Sequence, residues 1–346
     1  MSKRAAYIVT GGAGFVGANL VAALQARQPR PHVVVVDTFR SGTFANLTEA
    51  CARRGQIAFE GEVLPVSTRE IELDRLIERA EAVAVFHLAA ITDTTLADER
   101  EMIRENVGGF RAMLVACASR GVPLVYASSA ATYGPAGAAR KPLALADAGR
   151  PSNVYGFSKW LMEREHERLA EERRDAGLTT PWIVGLRYFN VFGPGEAGKG
   201  KMASMVFQLA KQMLADKRPR LFTDGSQARD QVYVDDIVDC TLAAAGLGSK
   251  PDPRPGVYNA GSGEATSFND IVAALRGPLR ATEHALLTDY FPMPDSIRQF
   301  YQDFTCADLS ETTAALGWRP RWRPLDAIAD YARFLARSPA APAADR

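Results

Sequence analysis

The segment Tyr7-Ile8-Val9-Thr10-Gly11-Gly12-Ala13-Gly14-Phe15-Val16-Gly17 constrains the fold of this chain more than any other. An apolar β-branched run leads into it and an amphipathic run, Gly14–Arg27, leaves it, so the glycines fall where a strand turns into a helix. Each of three glycines has its own task there. Gly11 permits the tight turn, Gly14 lets backbone approach a pyrophosphate, and Gly17 lets the helix pack closely on the strand. Phe15 and Val16 belong to the same turn, whose free N–H groups sit at the positive end of the helix and suit an anion.

About twenty residues on, Asp37 ends a second apolar run, Val33–Asp37, where a carboxylate accepts hydrogen bonds from adenosine ribose hydroxyls. Strand, glycine turn, helix and distant acid together predict a bound dinucleotide. Asp37, with Thr38 beside it, favours NAD because a 2′-phosphate would repel it, whereas Arg40 would pair with that phosphate. The residues leave NAD and NADP both open.

The same alternation continues down the chain. Ala82–His87, Leu124–Ser128 and Trp182–Phe189 read as further strands, and Glu99–Ser119 and Val154–Glu172 as helices between them. The strands lack polar alternation, as expected when helices cover both faces of a parallel sheet. The predicted fold is therefore α/β, a Rossmann-type doubly wound parallel sheet, followed by a smaller C-terminal α/β substrate domain. After Asn190 the rhythm changes, with Gly and Pro clustered over 193–200 and 251–256. We expect a dinucleotide-binding domain over 1–190 with a returning segment about 232–262, which includes a strand at Gly256–Ala260. A substrate domain over 191–231 and 263–337 and a flexible tail over 338–346 complete the division.

Composition limits the partners. A chain of 346 residues with 47% hydrophobic content can build a large core, and a net charge of +1 supplies no long-range field for nucleic acid or anionic membrane. Cys51, Cys117, Cys240 and Cys306 are too far apart for a zinc or redox motif and, with no signal-like or membrane-length apolar run, point to the cytoplasm. No metal site is expected from the scattered histidines either.

Two further segments carry chemistry. Tyr155-Gly156-Phe157-Ser158-Lys159 opens a long helix, and the four-residue step puts phenol and ammonium on one face. An adjacent Lys159 cation favours phenolate, so Tyr155 is the expected proton acceptor when hydride leaves a carbinol carbon. Ser129, at the end of the Leu124 strand, is expected to polarise the same oxygen. His87-Leu88-Ala89-Ala90 ends the preceding strand in small residues against which a cofactor can lie; His87 reads as packed, and Asn106 as a bridge between strand ends.

With the glycine turn, the strand-end serine and the Tyr155/Lys159 pair in hand, the chain resembles the extended short-chain dehydrogenase/reductase family over nearly its whole length. Members of that family epimerise, dehydrate or decarboxylate sugar nucleotides. The segments Tyr126–Gly134, Asn153–Lys159, Arg187–Pro194, Lys199–Ser204, Phe291–Asp295 and Tyr301–Asp308 resemble one branch, the ADP-L-glycero-D-manno-heptose 6-epimerases. The resemblance implies that Lys199 is a second acid/base group facing Tyr155, and that Asn190, Arg229 and Tyr301 bind substrate with Ser129. It places Phe222 at the nucleobase. It also puts Lys201 and Gln208 at the substrate, where the branch has a serine and a histidine, so the sugar and nucleotide stay open.

Leu88, Ala89, Ala90, Thr92 and Asn106 fall to the cofactor by the same resemblance, as does Glu62 near the adenine in place of the usual aspartate. The branch implies NADP, yet its cofactor-contacting lysine is Phe44 here, which with Asp37 keeps NAD in play. The implied partner is a small-molecule nucleotide sugar, in a homo-oligomer, with no nucleic acid and no membrane. A nucleotide-sugar 4-epimerase or dehydratase is the nearest alternative, although Ala130-Ala131 offers none of the acidic residues a dehydratase places after its strand-end serine. A non-catalytic cofactor sensor would not need Ser129, Tyr155, Lys159 and Lys199 together.

Overall fold

A computed structural model of the chain describes residues 4–93, 96, 98–135, 140–295 and 301–337; the tail expected over 338–346 lies outside them. The strands are Ala6–Thr10 (β1), His32–Val36 (β2), Glu62–Leu64 (β3), Ala82–His87 (β4), Leu124–Ser129 (β5), Ile183–Tyr188 (β6), Asn190–Phe192 (β7), Arg220–Phe222 (β8), Ala228–Tyr233 (β9), Gly256–Ala260 (β10), Ala265–Ser267 (β11) and Asp289–Phe291 (β12). The helices of the first half are Phe15–Gln25 (α1), Phe44–Arg53 (α2), Leu73–Ala80 (α3), Glu99–Val107 (α4), Phe110–Arg120 (α5) and Val154–Asp175 (α6). Those of the second are Met205–Leu214 (α7), Val234–Ala244 (α8), Phe268–Leu279 (α9), Glu283–Leu286 (α10), Ser310–Leu316 (α11) and Pro324–Arg337 (α12).

Seven strands form one parallel sheet in the order β10-β6-β5-β4-β1-β2-β3. The order reverses between β1 and β4, which opens a crevice at the carboxyl ends of those strands where doubly wound sheets take ligands. Every residue of β1 is buried, and α1 carries no charged residue in its first or last turn because all of it but Val16 is buried, covered by α2 and α8. One apolar cluster, with Leu20, Leu24, Val33, Leu47 and Ile237, fills that face of the sheet. A second, with Ile77, Phe110, Leu114, Tyr126 and Met162, fills the other under α3, α5 and α6.

The smaller lobe is built on β11-β9-β7, with β9 parallel to β7 and antiparallel to β11, and on the parallel pair β12-β8. Its core gathers Phe192, Leu209, Leu275, Ile328 and Tyr331 between α7, α9 and α12. The returning strand expected at Gly256–Ala260 is β10, paired with β6.

Two sequence expectations need correction, and one strand was not expected. The helix expected over Glu99–Ser119 is two, α4 and α5, parted at Gly108-Gly109, where Gly109 takes φ 86°. The edge strand β3, only three residues long, carried no periodic signal. Ser310–Leu316, assigned from sequence to the substrate domain, packs against β10 and α8 instead, and its Leu316 joins the core of the large sheet.

Candidate active site

The glycine turn is as tight as the sequence demands. A Cβ on Gly11, whose φ is +68°, would stand 2.5 Å from the Ala89 nitrogen, and one on Gly17 would stand 2.0 Å from the Gly11 carbonyl oxygen. Gly14 caps α1 without any side-chain hydrogen bond, so the N–H groups of the first turn stay available to a ligand. Asp37 follows β2 and braces the turn, Oδ2 accepting from Ala13 N at 2.9 Å and Oδ1 from Phe39 N at 2.8 Å. This cradle fits a dinucleotide, because it combines close backbone approach, free N–H donors and a carboxylate at the second strand end.

A cavity of about 1190 Å³ runs from this turn across the crevice into the smaller lobe. On the cofactor side it is lined by Gly11, Gly14, Phe15, Val16, Gly17, Asp37, Thr38, Arg40, Leu88, Ala89, Ala90 and Thr92. On the far side stand Ser129, Tyr155, Lys159, Asn190, Lys199, Lys201, Phe222, Arg229 and Tyr301. Three expected residues do not line it. Glu62 faces outward, ion-paired with Arg79 at 2.8 Å, and Val66, Ser67 and Thr68 after β3 reach the cavity instead. Asn106 and Gln208 stand behind the wall.

Asn106 is a fastener. It is 2% exposed; its Oδ1 accepts from Ile91 N at 2.7 Å, and its Nδ2 donates to Ile91 O and to Ser158 Oγ, both at 3.0 Å. Ser158 Oγ in turn donates to Tyr155 O at 2.7 Å. The loop after β4 is thereby tied to the first turn of α6, which Asn153 caps by accepting from Gly156 N at 2.8 Å. Gly156 is needed because a Cβ there would lie 2.6 Å from Ala131 O, in the turn that follows Ser129. These contacts bring Tyr155 onto Ser129, with which its phenol is hydrogen-bonded.

The electrostatics differ from the sequence expectation. Burial pushes the Tyr155 pKa up, opposed by the Ser129 hydrogen bond, and Lys159 does not pull it down. Lys159 instead folds onto β5, its ammonium donating to Ala127 O at 2.8 Å, and burial lowers its pKa to about 8. His87 is packed as expected, with Nδ1 2.7 Å from Thr10 Oγ1 and the ring stacked on Phe110. Burial and then the Lys159 charge lower its pKa to about 3, so it is neutral.

Beneath the serines lies a network that the sequence did not reveal. Glu163, fully buried, accepts from Ser128 Oγ at 2.5 Å and from Arg187 Nε and Nη2 at 3.0 and 2.8 Å, while Arg187 Nη1 reaches Tyr133 and Leu145 O. It locks β5 and β6 where Ser129 emerges.

Lys199 sits in the 3-10 segment Ala197–Met202 with its ammonium over the Phe15 ring of the glycine turn, and burial lowers its pKa against the pull of Glu196. Glu196, fully buried, holds that loop by accepting from Gly193 N, Ser204 N and Ser204 Oγ at 3.0, 2.6 and 2.9 Å. Gln208 donates to Ala203 O at 2.7 Å and Lys201 O at 3.2 Å, so it shapes the Lys199 loop from behind. Lys201 is largely exposed and lies 3.9 Å from Asp93 across the cavity mouth. Deeper in the smaller lobe, Arg229 stacks 4.9 Å over Tyr301, whose ring meets Phe222 edge-on at 5.8 Å. Asp230 beside it accepts from Ser262, Gly263 and Ala307 N–H groups and fixes the loops around it.

A cleft with a dinucleotide cradle on one wall, a Ser129/Tyr155 pair at its centre and an arginine among aromatic rings on the other matches known proteins closely. The profile of the NAD dependent epimerase/dehydratase family matches residues 7–261. The chain belongs to that family. It is 36% identical to the ADP-L-glycero-D-manno-heptose-6-epimerase of Cupriavidus pinatubonensis, an alignment that covers 95% of this chain and 98% of that protein. Among solved structures, the Helicobacter pylori ADP-L-glycero-D-manno-heptose-6-epimerase superposes with a TM-score of 0.80 at 31% identity, covering 98% of this chain and 99% of that one. The UDP-glucose 4-epimerase of Thermotoga maritima gives 0.76 at 25% identity, with coverage of 95% and 99%.

Proposed function

We propose that this chain epimerises C6 of an ADP-glycero-manno-heptose. The carrying observation is that one cavity holds the Ser129/Tyr155 pair together with Lys199, whose proton affinity is lowered by burial. A nicotinamide held along the cradle supplies the hydride acceptor and donor, and its positive charge favours the phenolate form of a nearby tyrosine. Tyr155 Oη takes the hydroxyl proton while Ser129 Oγ polarises the same oxygen. Inverting a secondary alcohol through a ketone requires the carbonyl to present its other face, so a second proton-transfer group must serve the turned orientation. Lys199 Nζ is that group in this reading. Arg229 takes the diphosphate, and the Phe222/Tyr301 rings flank the base.

Asp37 in the cradle, with Arg40 held by Glu101 at 2.5 Å, supports a cofactor with a free 2′-hydroxyl, hence NAD rather than NADP. Exposed Val115 on α5 and Phe157 on α6 support a homo-oligomer, and four free cysteines accord with a cytoplasmic enzyme. No helix among the described residues is long and apolar enough to cross a membrane.

The test is incubation with ADP-D-glycero-D-manno-heptose and separation of the C6 epimers, alongside UDP-glucose. Conversion of the heptose, lost in Tyr155→Phe while cofactor stays bound, is the expected result. Turnover of UDP-glucose alone overturns the substrate, and turnover surviving in Tyr155→Phe overturns the base.

A further inference from the structure

Eight buried side-chain nitrogen or oxygen atoms among the described residues lack a hydrogen-bond partner. Only two of them, Arg229 Nη1 and Gln231 Oε1, belong to residues that line the cavity. Arg229 already has a role in the reading above. Gln231 has none. It is 2% exposed, and its amide oxygen meets no donor of the protein, an arrangement that is unfavourable wherever nothing else supplies the hydrogen bond. An apolar side chain would fill the same place in β9 without that cost.

Its position says what it meets. Arg229 and Gln231 are two apart on β9 and so share the face turned to the cavity, roughly 7 Å from each other along the strand. Arg229 is drawn toward Tyr301 and the aromatic wall. Gln231 stands in register with Asn190 of β7, and Asn190 follows by two residues Tyr188, the register partner of Ser129. The amide therefore lies on the path from the guanidinium to the Ser129/Tyr155 pair, the stretch that the glycosyl part of a nucleotide sugar would occupy. A phosphate oxygen has no hydrogen to offer an amide oxygen, whereas a sugar hydroxyl has.

We infer that Gln231 is a specificity-determining residue that binds a hydroxyl of the substrate's glycosyl group, the juxtaposition of its unpartnered amide with Asn190 and Arg229 in one cavity being the ground. This rests on the reading of the cavity as a nucleotide-sugar site. A site built to hydrogen-bond a hydroxyl discriminates against ligands without it, because the buried amide is then left unmet.

The experiment titrates wild type, Gln231→Leu and Gln231→Met with ADP, UDP, ADP-heptose and UDP-glucose by calorimetry, with thermal melts of each protein. We expect both variants to bind the nucleotide sugar about tenfold more weakly while the matching nucleoside diphosphate changes by less than about twofold. Melting temperatures should be unchanged or higher. An equal loss for sugar nucleotide and diphosphate, or no loss for either, overturns the assignment. Should Gln231→Leu not fold, Gln231→Met decides. Wild type that binds UDP-glucose but not ADP-heptose sinks the substrate reading alone, since the Gln231 comparison is then read on the uridine pair; wild type that binds neither sugar nucleotide sinks both.

Discussion

Lys159 is a costly residue for this fold, and replacing it with methionine should make the cofactor-free protein more stable while ending turnover. Its side chain is 2% exposed, and burial lowers its pKa from 10.5 to about 8. Keeping the ammonium charged there at neutral pH costs about 3 kcal/mol. The bond to Ala127 O, lost in Lys159→Met, returns about 1 kcal/mol to the other side. The net gain of about 2 kcal/mol, set against an unfolding entropy of roughly 0.7 kcal/mol/K for a chain of this length, raises the melting temperature by about 3 °C. The pH dependence has a definite sign. The folded pKa is depressed, so between pH 8 and about 10.4 the unfolded chain holds a proton that the native protein has released, and wild type gains stability as pH rises through that window. The variant cannot. Thermal melts of both proteins at pH 7 and pH 9.5 should therefore show the variant's advantage shrinking toward zero at the higher pH. A variant that melts below wild type at pH 7, or an advantage that is the same at both pH values, refutes the reasoning.

Glu163→Gln should destabilise the protein by about 3–5 kcal/mol, because it leaves the Arg187 cation buried without its carboxylate; denaturant melts should show Glu163→Leu combined with Arg187→Met recovering most of that loss. His166, whose pKa burial lowers to about 4, supplies stability that is full above pH 6.5 and drains as pH falls toward 4, since the unfolded chain takes up a proton the native one refuses. His166→Gln should reduce by about 3 kcal/mol the fall in unfolding free energy, read from urea melts, between pH 7 and pH 4.5, and an unchanged slope would remove His166 as its source.

The parts of this protein that were legible in its sequence are those where a short stretch carries its own reason. Gly11, Gly14 and Gly17 need no distant partner to announce a tight turn, and the β1, β2 and β4 runs are mainly apolar, without polar alternation, because helices cover both sheet faces. Residues whose meaning depends on where the chain returns were not legible. Glu62, expected near the adenine, opens the three-residue edge strand β3 and pairs instead with Arg79 and His32, neither of which lies near it in sequence. Asn106 and Gln208 were sensed as special without their direction, since the carbonyls they serve belong to Ile91 and to the Lys199 loop. Glu163 and Gln231 gave no signal: one sits in a charged helix whose other charges are solvated, the other in a strand where an amide looks like ordinary variation.

Buried charge gathers at the cleft itself. Lys159, Lys199 and Arg229 all have pKa values lowered by burial, and all line the same cavity. Desolvating three cations around one space is unfavourable by itself. It becomes favourable when an anion fills the space, because attraction in a dry site is far stronger than at a surface. The carboxylates that might have quenched them are turned to other work: Glu196 ties the Lys199 loop to Ser204, and Asp230 holds the loops at Ser262 and Ala307. Both carboxylates have pKa values raised by burial, so neither is a comfortable counter-ion at rest. The cleft is thus prepared for ligands that bring their own negative charge from two directions, a dinucleotide along the glycine turn and a diphosphate at Arg229, with the polar but uncharged Ser129, Tyr155 and Gln231 lining the interval where the sugar must turn.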